Sequence, residues 1–261
     1  MRNSSSLFIP IGAMVVLLAG GGCKTTESYE DRYGLSERFR SPTPPAFLNG
    51  PVSLLLTNIP LFSCHAAIQA GTGSVQTGTL FGRDGRLLFA LEPDKETGKR
   101  LRQGGFSFIW DARENQGFAL SEPLQGVAPL LPLHTFTNVT VQPATGSPSQ
   151  KIEGFLCEPE NVTISAADGS VFVYEVWRAR DGNNFPMLIN SGGGAAPMSI
   201  HFTKVHFQAP PVEAFVPPET FTKYPTPENL AAEYVARQQE SRGLRRTPST
   251  DTGSIPGISP K

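Results

Sequence analysis

Hydrophobic and polar residues alternate along much of residues 52–208 with the period of two that a half-buried β-strand requires. The clearest case is Phe106-Ser107-Phe108-Ile109-Trp110-Asp111, where Phe106, Phe108 and Trp110 share one face. The short apolar run Val52–Thr57 and the stretch Phe62–Ala70 read as the first strands. Ser74–Phe81 and Arg86–Leu91 flank Arg83-Asp84-Gly85, and an Asp-Gly pair between such runs signals a hairpin. Asn115-Gln116-Gly117 turns the chain into Phe118-Ala119-Leu120. Further strands are expected at Thr135–Val141, Lys151–Cys157, Val162–Ser165, Ser170–Arg180, Phe185–Asn190 and Pro197–Phe207. The longest of these carries Val171, Val173 and Trp177 on one face and Phe172, Tyr174 and Val176 on the other, so both sides should be covered near its centre. The pattern predicts a meander of about eleven antiparallel strands.

The rhythm changes after residue 208. Residues 209–226 are Pro-rich and extended. Thr226-Pro227-Glu228 then opens a helix, with Thr226 as N-cap, Pro227 at the first helical position and Glu228 matching the dipole. That helix should run to about Ser241 and stop at Gly243, leaving 243–261 as a disordered tail. A shorter helical turn is expected over Asp94–Gln103. The 26 glycines and 24 prolines among 261 residues exclude a long helical bundle. A hydrophobic share of 39% with only 17% charged residues excludes a wholly disordered chain. The net charge of -1 provides no global field for nucleic acid or acidic lipid.

The N-terminus assigns one of the three cysteines. Arg2 precedes an apolar run from Leu7 to Ala19, too short and too broken by Pro10 and Gly12 to be a comfortable membrane span. The run ends Leu17-Leu18-Ala19-Gly20-Gly21-Gly22-Cys23. This resembles a bacterial lipoprotein signal peptide, with Gly21 and Gly22 at the small positions before the cleavage site. Gly20 departs from the usual leucine. The resemblance implies removal of residues 1–22, a diacylglyceryl thioether on Cys23 and an acylated new N-terminus. Lys24 in place of aspartate favours the outer membrane, facing the periplasm. Residues 23–50, with Ser41-Pro42-Thr43-Pro44-Pro45, read as a tether that lifts a domain at 51–242 off the membrane. With Cys23 lipidated, Cys64 and Cys157 remain in an oxidising compartment. They either form a disulfide or stay as two buried thiols.

Several short features in order carry a second resemblance. They are Glu175-Val176-Trp177-Arg178-Ala179 before an Asp-Gly turn, Phe185-Pro186-Met187 opening the next strand, Thr203-Lys204-Val205, and the run Phe215-Val216-Pro217-Pro218-Glu219-Thr220-Phe221-Thr222-Lys223-Tyr224. Over residues 52–240 this layout resembles the LolA/LolB-like superfamily of periplasmic and outer-membrane lipoprotein folds. The resemblance implies a mainly β (α+β) fold. In it a half-open antiparallel barrel wraps an apolar cavity that helices cover, and members of the superfamily bind lipid or acyl groups. The chain departs from that pattern in its scarcity of helices. The closer analogy is LolB, itself a lipoprotein.

Reactive constellations are scarce. His201 and His206 are five apart on a strand and face opposite sides. No H-E-x-x-H, C-x-x-C or G-x-S-x-G pattern occurs. The expectation is therefore a protein without catalysis, cofactor or metal, held at the membrane by a lipid anchor. Phe106, Phe108, Trp110 and Phe118, with Trp177 and Phe185, are the candidates for lining an apolar ligand cavity. The competing reading is that the same residues form a filled core. That would make the domain a structural or protein-interaction module with an envelope protein as its partner.

Overall fold

Alternation alone does not say how strands are ordered; the hydrogen-bonded register does. The computed structural model describes residues 45, 47–71, 75–92, 105–191, 197–208 and 211–241. Cys23, the signal and tether segments up to residue 44, the expected helical turn at 94–103 and the tail at 243–261 lie outside the described residues. All described residues belong to one unit, residues 38–261.

The first half of the sheet is a meander of β1 (Leu61–Ala70), β2 (Gln76–Arg83), β3 (Arg86–Leu91), β4 (Phe106–Asp111), β5 (Gln116–Ser121) and β6 (Gly126–Leu130). The second half comprises β7 (Phe136–Pro143), β8 (Gln150–Ile152), β9 (Phe155–Ala166), β10 (Val171–Ala179), β11 (Pro186–Ser191) and β12 (Met198–His206). β12 closes back on β1, so the two halves form one 13-stranded sheet, twelve strands in the order β13-β6-β5-β4-β3-β2-β1-β12-β11-β10-β9-β7 and β8 paired with β9 off that path. The short β13 (Thr222–Lys223) pairs with β6 in parallel, the exception to an otherwise antiparallel sheet. The sheet remains a half-open barrel whose edges are β13 and β7.

The expected hairpins form. Asp84 and Gly85 both have positive φ, 48° and 84°, as a two-residue turn between twisted strands demands. Two boundaries differ from the sequence pattern. Lys151–Cys157 is not one strand, because Glu153 and Gly154 take the same left-handed conformation and split it into the β8–β9 hairpin. β9 then continues unbroken through Pro159 to Ala166. β6 escapes the alternation pattern, because Pro129 lies within it; the Val127 C=O faces β13, so the Pro129 nitrogen two residues on lies on the same side, past the two residues that β13 pairs, where a missing N–H does less harm.

Val52–Thr57 is a helix, not a strand. Helix α1 (Ser53–Thr57) is reached through a local turn, with Leu54 N–H bonding Pro51 C=O and Leu55 N–H bonding Val52 C=O. Three consecutive leucines favour helix, and only Val52 in the run is β-branched. Buried on several sides, the segment fills the inside of the barrel instead of adding a strand to it. Phe47, Leu48, Val52, Leu55, Leu56 and Ile59 are all buried. Helix α2 (Pro227–Ser241) starts where the sequence pattern places it, and Thr226 Oγ1 accepts the Asn229 N–H at 3.3 Å. Its Leu230, Ala231 and Tyr234 are buried, and it packs on β5 and β6.

The core is built from cross-strand rungs on the inner face. Phe62, Gly82, Leu87, Trp110, Gly117 and Leu130 are successive partners across β1 to β6. So are Cys64, Leu80, Phe89, Phe108, Ala119 and Ala128. Each ring of the first rung has a glycine as its next partner, Gly82 beside Phe62 and Gly117 beside Trp110, so the layers interdigitate. A Cβ on Gly82 would fall on the Phe62 ring, and one on Gly117 would meet the Ile109 carbonyl oxygen.

Cys64 and Cys157 do not form a disulfide. Both are buried free thiols. Three strands, β12, β11 and β10, stand between their own strands β1 and β9. At about 4.8 Å per strand the path along the sheet far exceeds the roughly 7 Å that a disulfide allows between Cα atoms. Burial pushes both thiols above the ordinary cysteine range.

Candidate functional site

The six candidate cavity residues do not line one surface. Phe106, Phe108 and Trp110 lie on the inner face at 0–3% exposure. The Phe106 ring meets Tyr234 of α2 edge-on at 4.8 Å between centroids. Phe185, in the β10–β11 turn, joins them through Phe62 at 5.0 Å and also contacts Phe202 at 5.5 Å. Phe118 is on the opposite face. The β4–β5 hairpin pairs Asp111 with Gln116, which places Phe118 across from Ile109. There it packs in a small outer cluster with Ile109, Leu120, Val127 and Phe221. Trp177 occupies the alternate positions of β10, with cross-strand partners Pro159 and Leu188 against Glu160 and Ile189 for Val176, yet it belongs to the same buried cluster as the inner rings. The doubly covered strand expected at 170–180 is therefore present. Tyr174 and Val176 are buried on one face, and Trp177 and Ala179 on the other.

The inner face has two regions. α1 packs on β2 and β3, and α2 on β5 and β6. At the far end, the register puts Phe136, Val139 and Val141 of β7 on the same face as buried Ile164 and Val162 of β9 and as Phe172 and Tyr174 of β10. Phe136 and Phe172 are half-buried, whereas Val139 and Val141 are 44% and 49% exposed. Burial pushes the Tyr174 hydroxyl up to about 12, so it stays neutral there. A separate surface pocket of about 470 Å³ lies where the β8–β9 turn meets β11 and β12, lined by Gln150, Lys151, Ile152, Glu153, Leu188, Ser199 and His201. The alternation pattern gave no sign of it, because it depends on the unforeseen β8–β9 turn.

The polar side chains are engaged in pairs that hold strands together. Arg178 bonds Glu160 at 2.8 Å, and Arg180 meets Glu158 at 3.2 Å. His65 lies 2.9 Å from Glu92, and His134 lies 3.2 Å from Asp168 beside the Phe172 ring. A histidine–carboxylate pair does acyl-transfer chemistry only with a nucleophile on its other nitrogen. No serine or cysteine is hydrogen-bonded to either histidine among the described residues, and none of their His, Cys, Asp and Glu side chains form a group of three or more that could hold a metal.

Asp111, at the β4–β5 turn, is the most tightly held carboxylate. Its partial burial opposes ionisation. The Arg86 guanidinium at 2.7 Å and the backbone N–H groups of Glu114 and Arg113 outweigh that and hold the carboxyl below its ordinary value. A carboxylate with a lowered folded value contributes stability above its unfolded value, near 3.9, and loses it as pH falls through the folded one. Asp111→Asn should therefore cost about 1–2 kcal/mol at neutral pH. Urea unfolding curves of the variant and the wild type should converge as pH drops below about 4.

No protein-family model and no curated protein sequence matches the chain. Solved structures do. The chain is similar to the structure of PNGF-II at 10% identity and a TM-score of 0.38, covering 69% of this chain and 33% of that one. It thus spans about a third of that protein's length. It is similar to a LolA superfamily protein from Nitrosomonas europaea at 7% identity and a TM-score of 0.38, covering 63% of this chain and 96% of that one. It is also similar to the Mycobacterium tuberculosis lipoprotein LppX at 16% identity and a TM-score of 0.34, covering 64% and 99%.

Proposed function

We propose that this chain is a lipid-anchored, non-catalytic protein of the bacterial cell envelope, facing the periplasm from the outer membrane, that works through its surfaces as a protein-interaction module. One observation carries the reading: of the five candidates in the main buried cluster, Phe106, Phe108, Trp110 and Phe185 are at 0–3% exposure and Trp177 is at 8%. Rings packed edge-on against Tyr234 and Phe62 leave no groove at those positions for an acyl chain. The anchor is Cys23, in its lipobox-like setting.

A second reading, a carrier of lipid or another apolar ligand, is favoured by a different place. Val139 and Val141 stay exposed on the inner face, on β7, whereas α1 packs on β2 and β3 and α2 on β5 and β6. Native mass spectrometry of the protein after gentle extraction separates the two. The interaction module should give the mass of the polypeptide and its anchor alone. A co-purified lipid, lost in Val139→Asn/Val141→Asn, would overturn it in favour of the carrier.

A further inference from the structure

β7 ends the sheet on a long, neutral and exposed strand. Natural edge strands are protected by charge, shortness, proline, bulges or cover, and β7 has a bulge and a proline only at its two ends. β7 has eight residues, almost all of them exposed, and no charged residue occurs from Thr135 to Gln150. Its ladder with β9 fixes which backbone groups face outward. The Ala144 N–H bonds Pro159 C=O, and the register continues as Gln142–Asn161, Thr140–Thr163 and Asn138–Ser165. Antiparallel ladders alternate, so Asn138, Thr140 and Gln142 bond inward to β9. Val139 and Val141 accordingly present their N–H and C=O groups on the free edge.

The pairable stretch is bounded at both ends. A bulge interrupts the register between Phe136 and Asn138, and Pro143 has no N–H to donate. The midpoint of what remains is Thr140. We propose that β7 is a homotypic docking edge, at which a second copy of this chain pairs antiparallel about a two-fold axis through Thr140. In that register Val139 exchanges both backbone hydrogen bonds with Val141 of the second copy, and the reverse. Asn138 meets Gln142, amide against amide, and the valines extend the inner apolar face. No like charges meet, and a charged partner strand would find no counter-charge on β7. Two-fold symmetry satisfies every outward group of the window at once.

The contact is small beside the roughly 800 Å² per partner of a standard interface, so covalent trapping reads it better than size measurement. Thr140 would face its own copy as a non-hydrogen-bonded pair, with Cα atoms about 4.5 Å apart, close enough for a disulfide. The full chain carrying Thr140→Cys, mildly oxidised in its own membrane fraction, should form a disulfide-linked dimer at least about tenfold more than Thr145→Cys, an exposed position off the axis. The wild-type chain, with Cys23, Cys64 and Cys157 in place, is the blank. Adding Val141→Pro to Thr140→Cys should abolish the dimer, since it removes an outward N–H. Equal dimer at both positions, no dimer at Thr140→Cys, or coupling of Thr140→Cys to a different protein would each overturn the proposal. The last outcome would assign the edge to another partner's strand.

Discussion

Phe62→Ala is expected to destabilise the domain by about 3–5 kcal/mol, a large part of the roughly 5–15 kcal/mol that holds a typical domain folded. The ring is fully buried and reaches in two directions. It meets Phe185 edge-on at 5.0 Å, and it lies over Gly82 on the neighbouring strand. The glycine is small because the ring occupies the space its side chain would need. Gly82→Val should therefore cost about 1–3 kcal/mol by overpacking. The double variant should cost less than the two single changes combined, because the valine then fills part of the cavity that the alanine leaves. Urea unfolding of the three variants checks this. Strict additivity would mean that Gly82 is small for a reason other than the Phe62 ring.

Cys23→Ser is expected to move essentially all of the protein from the membrane fraction to the soluble one. Each buried CH2 of an acyl chain contributes about 0.8 kcal/mol, so several chains hold a domain that one chain would hold only weakly. Without the thiol there is no thioether. Fractionation with mass analysis of the N-terminal peptide reads both location and modification. A variant that stays membrane-bound with residues 7–19 still attached would replace the lipid anchor by an uncleaved apolar segment. Lipid found on another residue would refute the assignment to Cys23.

The strands were legible because period-two alternation is local. Phe106, Phe108 and Trp110 announced their common face, and Thr226-Pro227-Glu228 announced α2. What stayed hidden depended on register. Phe118 looks like one more ring in the same hairpin, but pairing Asp111 with Gln116 turns it to the opposite face. No spacing in a single strand reveals that. Trp177, by contrast, joins the same buried cluster as the inner rings although it pairs with Leu188 on the alternate positions of β10. Val52–Thr57 has a strand-like pattern and folds as a helix because a short apolar run fits a buried strand and a buried helix equally well. The cysteines show the limit of composition: two thiols in one half-barrel suggest a bond, and only the strand order shows three strands between them.

The segment that fills the barrel precedes β1 in the chain. Phe47 and Leu48 are buried, and α1 follows soon after. Tension applied at Pro45 is borne first by this innermost layer. The edge strands β7 and β13 would be loaded only after Phe47, Leu48 and the leucines of α1 had been drawn out from between the sheet's own rings. The force that opens this domain is then the force needed to extract a plug, and it would expose Phe89, which packs edge-on against Phe47 at 5.6 Å, at the moment of release.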